Sequence, residues 1–208
     1  MEWSIRDQDV RPKSLILVSK PGHCLNDLLY RTNSGSLGMD VAGIVSNHPD
    51  QKPIADFYGI PYHHLPITSD TKPAQEAQIR ALVEETGSEL IILARYMQIL
   101  SPKMCAYLSG RCINIHHSFL PGFKGAKPYQ QAHARGVKLI GATAHYVTSD
   151  LDEGPIIEQE TSRVSHAHTP EHLERIGRDL ESVVLARAVR YHIEQRVLLR
   201  GERTVVFS

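Results

Sequence analysis

Two separate stretches of the chain contain residue types that can act together on a carbonyl group. The first contains Asn114 and His116, and the second contains Asp152. Side chains two residues apart in an extended segment point to the same side, so the amide of Asn114 and the ring of His116 could reach one oxygen atom. An amide donor, a titratable ring and a carboxylate could together stabilise the oxyanion of a tetrahedral intermediate and move its protons.

A purely structural role for these residues also fits their spacing. Asn114 could form a turn hydrogen bond, His116 could fill a core position, and Asp152 could cap the turn that follows it. In the catalytic interpretation, a carboxylate beside His116 favours the charged imidazolium form of the ring. His145 begins the run that leads from a predicted strand to Asp152. We therefore expect it to contact the catalytic side chains without contacting the substrate.

The chain has 12 histidines, which raises the question of a metal site. Apart from His116, we expect the histidines to show no HxxxH, HExxH or HxC spacing, and the cysteines do not supplement them. They include His63, His64, His117, His145, His166 and His168. Ser118 lacks a GxSxG elbow and Cys112 lies inside an apolar run, so a nucleophilic side chain is not indicated. We expect no metal and no covalent intermediate.

The composition excludes several classes of protein. Lys+Arg and Asp+Glu both total 23 among 208 residues, so the formal net charge is zero and no broad nucleic-acid footprint is expected. No leader and no run of about 18 apolar residues is apparent, so we expect neither secretion nor membrane insertion. Three cysteines without CxxC spacing favour reduced thiols and a cytoplasmic location.

Apolar runs of strand length alternate with helical patterns along the chain. This alternation predicts an α/β domain with a mostly parallel sheet covered by helices on both faces. Predicted strands lie at 14–19, 40–46, 60–65, 90–94, 112–115, 139–147 and 155–164; predicted helices lie near 25–29, 54–58, 72–88, 102, 129–135 and 169–194, before a hairpin at 196–207. Ligands of such sheets bind beyond the carboxyl ends of the strands, where Asn114 and His116 would lie.

The run 112–129, CINIHHSFLPGFKGAKPY, and the run 141–157, GATAHYVTSDLDEGPII, resemble the formyltetrahydrofolate deformylases. The segments 93–102 and 19–30 resemble the folate-side and first-turn segments of the same family. The resemblance implies a Rossmann-like, formyltransferase-like fold, with residues 1–12 as a lead-in and 13–208 as one catalytic domain. Typical members carry an amino-terminal regulatory ACT domain, and we expect none within this chain.

The resemblance also assigns roles to individual residues. It makes Asn114, His116 and Asp152 the catalytic triad, with His145 alongside. The folate pteridine would lie against these residues: Met97, Gln98, Ile99, Leu100, Val147, Thr148 and Asp150. The implied reaction is hydrolysis of 10-formyltetrahydrofolate to formate and tetrahydrofolate, which supplies formate for purine and one-carbon metabolism. It requires no cofactor, and the enzyme could form a homo-oligomer.

One segment departs from the pattern of related enzymes. Glycinamide ribonucleotide formyltransferases carry a glycine- and asparagine-bearing phosphate loop after the first strand, whereas this chain has Lys20-Pro21-Gly22-His23-Cys24. The departure favours water over an amine as the formyl acceptor. Two alternatives stay open: a formyltransferase that uses the same triad with an amine such as glycinamide ribonucleotide, and a non-catalytic folate-binding protein.

Overall fold

The computed structural model describes residues 7, 9–122 and 128–207. Strands and helices alternate along most of this length. In chain order they are β1 Lys13–Val18, α1 His23–Asn33, β2 Asp40–Ser46, α2 Lys52–Tyr58, β3 Tyr62–His64, α3 Lys72–Thr86, β4 Leu90–Leu93, α4 Pro102–Tyr107, β5 Cys112–His116, α5 Pro128–Ala134, β6 Leu139–Tyr146, β7 Ile156–Arg163, α6 Pro170–Ile193, β8 Val197–Arg200 and β9 Arg203–Val206.

The main sheet has seven strands in the order β3-β2-β1-β4-β5-β6-β7. All pairs from β3 to β5 are parallel, whereas β6 runs antiparallel to both β5 and β7. The predicted α/β class with a mostly parallel, Rossmann-like sheet is therefore confirmed. Strands β8 and β9 form the predicted hairpin as a separate two-stranded sheet.

Apolar residues of the central strands alternate between two cores, one on each face of the sheet. In β1, Ile16 and Val18 pack into the first core, and Leu15 and Leu17 pack into the second. The long helix α6 packs on the first face through residues that include Val184, Leu185, Ala188 and Val189. This two-sided burial explains why the strands are continuous apolar runs in the sequence.

Local sequence signals set several helix ends as predicted. Helix α3 ends before Gly87, whose φ of 64° is left-handed and therefore favours glycine. Ser101 caps α4, because its side chain accepts a hydrogen bond from the backbone N–H of Met104, and Pro102 follows in the first turn. Among residues 7, 9–122 and 128–207, no helix combines the length and the apolar character needed to cross a bilayer.

The proposed lead-in, residues 1–12, lies mostly outside the described residues, since 1–6 and 8 are not described. The predicted boundary between a lead-in and a domain at 13 therefore stays a prediction, although β1 begins at Lys13. The same holds for part of the loop 118–128, because residues 123–127 are also outside the described part.

Candidate active site

The antiparallel pairing of β5 and β6 places Asn114 directly opposite His145. Asn114 and His116 share one face of β5, as their spacing predicts, and His116 lies opposite Thr143. The side-chain amide nitrogen Nδ2 of Asn114 lies 3.2 Å from Nε2 of His145. The sheet itself therefore brings together two candidate residues that are far apart in the sequence.

His145 holds the amide of Asn114 in one orientation. Its Nδ1 lies 2.8 Å from the carbonyl oxygen of Tyr146, which can only accept, so Nδ1 carries a proton. Burial lowers the pKa of His145, although the backbone hydrogen bond and Asp152 oppose this effect. In the neutral ring, Nε2 is then an acceptor, and the amide of Asn114 donates to it. These contacts fit the supporting role that we expected for His145, and that role stays a prediction.

Asp152 reaches the site from the loop between β6 and β7. Its Oδ1 lies 3.3 Å from Nδ1 of His116 and 3.8 Å from Nε2 of His145. Asp152 has a φ of 58°, a left-handed conformation that Asp tolerates better than most residues. Behind it, a Cβ added to Gly154 would lie 1.7 Å from the carbonyl oxygen of Tyr146, so the loop needs glycine there to pack against β6.

The surroundings of Asp152 keep it ionised. Burial raises the pKa of this carboxyl group, but the hydrogen bond and charge of His116 lower it further, so the net shift is downward. The neighbouring His117 behaves differently: burial, then the charges of Arg95 and His116, lower its pKa to about 4. At neutral pH the site therefore contains a carboxylate beside His116, and His117 is uncharged.

His116 has one ring nitrogen left for a ligand. Its Nδ1 contacts Asp152, whereas its buried Nε2 makes no hydrogen bond within residues 7, 9–122 and 128–207. Buried polar groups nearly always have a partner, so an orphan of this kind requires an explanation. A ligand oxygen in the adjoining cavity would provide the missing acceptor.

The cavity next to His116 has a volume of about 230 Å³ and is bordered by every residue that we predicted for the site. These are Asn114, His116, His145, Asp152, Met97, Gln98, Ile99, Leu100, Val147, Thr148 and Asp150. Met97 and Ile99 are 54% and 59% exposed, which is unusual for large apolar side chains at a cavity. All the predicted site residues therefore lie at one cavity, as their catalytic and folate-binding roles require. Those roles stay predictions.

Comparison with known proteins shows the family to which the chain belongs. The model of the formyl transferase family matches residues 12–189. A formyltetrahydrofolate deformylase of Corynebacterium sp. (strain P-1) is 55% identical over 206 residues, which are 99% of this chain and 72% of that protein. The chain belongs to the formyltetrahydrofolate deformylase family.

Solved structures of two enzyme families match the fold of this chain, but at different sequence identities. The crystal structure of a deformylase from Burkholderia mallei matches with a TM-score of 0.96 and 64% identity, over 100% of this chain and 74% of that one. A glycinamide ribonucleotide transformylase from Symbiobacterium toebii matches with a TM-score of 0.89 but only 28% identity, over 100% and 99% of the two chains. The deformylase and transferase families therefore share the formyltransferase-like fold.

The loop after β5 is anchored by a residue that the sequence did not reveal. Thr143 is fully buried, and its hydroxyl donates to the carbonyl oxygen of Ser118 at 2.9 Å. The hydroxyl oxygen Oγ1 of Thr143 in turn accepts from the backbone N–H of Leu120 at 3.1 Å and from Nε2 of Gln159 at 2.9 Å. These bonds hold the chain as it leaves His116. A threonine in an apolar strand gives no sequence signal for this role.

A second polar cluster beside the cavity was also missed. Glu181 lies in the middle of α6, and its carboxylate contacts His23 at 2.7 Å, Tyr129 at 2.6 Å and Arg95 at 3.4 Å. The sequence does contain a signal for it. Glu181 falls four residues after the buried Gly177, so a charged residue occupies the apolar face of an amphipathic helix.

Among the described residues, one group has the geometry to hold a metal ion: His23, Cys24 and Glu181. His23 and Glu181 are already paired with each other, and burial together with the charge of Glu181 raises the pKa of the Cys24 thiol well above its ordinary value. A protonated thiol is a poor ligand.

The expectation that no HxxxH spacing occurs is wrong, because His168 and His172 are four residues apart. Their Nδ1 atoms accept hydrogen bonds from the backbone N–H groups of Ser165 and Thr169, just before α6 begins. The expectation of no metal stays a prediction.

Proposed function

We propose that the protein hydrolyses 10-formyltetrahydrofolate to formate and tetrahydrofolate. The observation that carries this proposal is the convergence of Asn114, His116 and Asp152 on one cavity, with Nε2 of His116 left for a ligand. The three residues come from two separate stretches of sequence, and a purely structural role does not require them to border the same cavity. The names of the relatives indicate the same reaction.

In this mechanism, water attacks the formyl carbon and the carbonyl oxygen becomes an oxyanion. The amide of Asn114 and the protonated ring of His116 donate hydrogen bonds to that oxygen. Asp152 balances the charge of His116 and accepts a proton from the attacking water. The carbon–nitrogen bond then breaks, and the proton passes through water to the departing N10 of tetrahydrofolate. The formic acid formed in this step releases its hydroxyl proton to water and leaves as the formate anion.

The exposed apolar side chains at the cavity support a folate-binding role. Met97 and Ile99 on one side and Leu151 on the other are all more than half exposed and line the same cavity. A flat aromatic ring such as a pteridine would bury these side chains, and burial of apolar surface favours binding. Gln98, Thr148 and Asp150 border the cavity as well and offer polar groups to the ring edge.

The first strand-to-helix turn supports water over an amine as acceptor. There, Nε2 of Gln51 donates to the carbonyl oxygen of Lys20 at 2.5 Å. The side chain of Gln51 also occupies the space that a Cβ of Gly22 would need, at 2.1 Å. In the transferases this turn holds the phosphate of the amine substrate, whereas in this chain it is packed by a neutral side chain.

We test the proposal by measuring formate release from 10-formyltetrahydrofolate with and without glycinamide ribonucleotide. We expect formate in both cases, no formylated nucleotide, and no detectable heat on calorimetric titration with the nucleotide. Tight binding of the nucleotide with a formylated product would instead establish a transferase. Folate binding without formate release would establish a non-catalytic binding protein.

We further propose that the reaction needs no cofactor and occurs in the cytoplasm. Cys24, Cys105 and Cys112 are all buried and unpaired, which suits a reducing compartment. The small-molecule folate is the partner that the site supports. The association of copies of the chain into a homo-oligomer stays a prediction.

A further inference from the structure

A second cavity adjoins the reaction cavity and meets it at Arg95. Its volume is about 310 Å³, and it lies between the first strand-to-helix turn and helix α6. Arg95, Met97 and His117 line both cavities. These three side chains therefore form the boundary that the two cavities share.

The backbone at Arg95 indicates that its side chain is needed. Arg95 has a φ of 64°, a left-handed conformation that glycine adopts far more easily than arginine. The neighbouring backbone is held firmly, since the N–H of Ser19 donates to the carbonyl oxygen of Arg95 and the N–H of Met97 donates to the hydroxyl of Ser19. Strain of this kind at a non-glycine residue is a reason to look for a function.

The guanidinium group of Arg95 has donors left over. Its side chain is 13% exposed, and its Nε lies 3.4 Å from Oε2 of Glu181. That oxygen is already bound by His23 at 2.7 Å, and the other oxygen of Glu181 accepts from Tyr129 at 2.6 Å. Within the described residues, the buried Nε and Nη1 of Arg95 make no hydrogen bond. The positive charge is balanced, but the N–H donors of these two nitrogens are not used.

The reaction that we propose creates a ligand that fits these donors. A neutral formyl group enters the reaction cavity, and a formate anion must leave it. The carboxylate of Asp152 repels that anion, whereas a guanidinium binds a carboxylate through paired N–H groups. Since burial and the nearby charges lower the pKa of His117 to about 4, Arg95 is the charged one of the two basic residues shared by both cavities at neutral pH.

We infer that Arg95 is a binding site for a small carboxylate, the formate product, and that formate leaves the reaction cavity past Arg95 into the second cavity. This inference rests on the proposed hydrolysis for the identity of the anion. Glu181, His23 and Tyr129 act as positioning residues, because they fix the guanidinium between the two cavities. No bond is made or broken at Arg95.

The test measures binding of ¹³C-formate to the folate-free protein by NMR titration, so it does not depend on activity. Arg95→Gly removes the guanidinium and suits the left-handed backbone, so we expect it to fold. We expect formate to bind at least about tenfold more weakly to this variant. Arg178→Gln is the matched control, since Arg178 lines the second cavity but is exposed and already paired with Glu174 at 2.6 Å. That variant should bind formate like the unaltered protein.

Two further arms separate this site from other anion sites and from the proposed function. Formate should also inhibit hydrolysis as a product, and Arg95→Gly should weaken that inhibition by the same factor as it weakens binding. Unaltered formate binding in Arg95→Gly, or no formate binding by the unaltered protein, overturns the inference. Tighter Arg95-dependent binding of inorganic phosphate than of formate also overturns it. Absence of formate release from 10-formyltetrahydrofolate by the unaltered protein would instead refute hydrolysis.

Discussion

Two carboxylates in this molecule lie beside histidine rings, and their surroundings differ in one respect. Glu181 projects from the centre of α6, is 1% exposed, and has partners on both oxygens. Asp152 projects from a loop, is 13% exposed, and pairs with His116, whose Nε2 has no partner within the described residues. Both carboxylate oxygens of Glu181 therefore have protein partners, whereas the Asp152 cluster leaves Nε2 of His116 for a ligand.

The comparison explains why similar groups can have different roles. In the Glu181 cluster, the carboxylate makes its hydrogen bonds to other residues of the protein. Glu181 therefore holds Arg95 in position and stabilises the fold. In the Asp152 cluster, one donor is held buried without a protein partner, which costs stability but provides a prearranged donor for an oxyanion. Removing Asp152-cluster residues should therefore affect turnover, and removing Glu181 should affect stability.

The largest expected effect is on turnover when the Asp152 cluster, which comprises Asn114, His116 and Asp152, is altered. Asn114→Ala and His116→Ala each remove a donor to the oxyanion, so each should lower kcat by at least about 10²–10³-fold. Both variants should unfold at nearly the same temperature as the unaltered protein. His64→Ala, at the exposed edge strand β3, is the control and should keep full activity. A loss in kcat of less than tenfold for both site variants would refute their assigned roles.

The next effect tests the loop that carries Asp152. Gly154→Ala places a Cβ 1.7 Å from the carbonyl oxygen of Tyr146, so the loop must move away from β6. A displacement of about 1 Å at a reacting group can cost about 10²-fold in rate, and we expect a loss in kcat of that order. Gly38→Ala is the control, because a Cβ there meets nothing within 4 Å. Equal activity of the two variants would show that the loop position is unimportant.

Much of this architecture can be predicted from the sequence, because it depends on short stretches of neighbouring residues. Continuous apolar runs such as β4 mark buried parallel strands, and Gly87 and Ser101 mark helix ends through their backbone preferences. Asn114 and His116 could be placed on one face because strand geometry fixes the direction of alternate side chains. These features depend on residues that are close together in the chain.

Other features depend on pairing between distant elements and were not predictable. The register that places Asn114 opposite His145 is set by the β5–β6 pairing, and no local pattern specifies it. The cluster of Glu181 with His23, Tyr129 and Arg95 needs contacts among four separate segments. The assignment of Asp152 to the site came from the family resemblance, since spacing alone equally allowed a turn cap.

The third effect should appear in stability and sharpens the contrast with Asp152. Glu181→Gln leaves the buried Arg95 without its counter-charge, so we expect a loss of about 3 kcal/mol in the free energy of unfolding at pH 7. Glu174→Gln is the matched control on the same helix, because its pair with Arg178 is exposed and should contribute only about 0.3–0.5 kcal/mol. Urea unfolding of both variants measures the difference, and equal losses would contradict it.

The pH dependence of the free energy of unfolding shows whether ionised Glu181 stabilises the protein. Burial raises the pKa of Glu181, but the hydrogen bond from His23, the charge of Arg95 and the hydrogen bond from Tyr129 lower it further. A carboxyl group with a lowered folded-state pKa stabilises the protein above its unfolded pKa of about 4.3, and this stability is lost as the pH falls through the folded value. The free energy of unfolding of Glu181→Gln should therefore fall less steeply below about pH 4.3 than that of the unaltered protein. The same pH profile for both proteins would contradict this.

The smallest expected effect is none at all. Formate release should be unchanged after incubation with EDTA, because the proposed mechanism uses the side chains of the Asp152 cluster alone. The cluster of His23, Cys24 and Glu181 makes this a real test, since it has the geometry of a ligand set. A loss of activity on chelation that zinc restores would give that cluster a catalytic metal and would reverse the comparison between the two regions.

The most direct test of the catalytic account is the single-turnover rate of formate release by Asp152→Asn. An amide has nearly the same shape as the carboxylate but can neither balance a charged His116 nor accept the proton of the attacking water. With saturating 10-formyltetrahydrofolate, we predict a rate at least about 10²-fold below that of the unaltered protein, with folate binding retained. A near-normal rate would contradict the assigned proton transfer and, with it, the role of the Asp152 cluster.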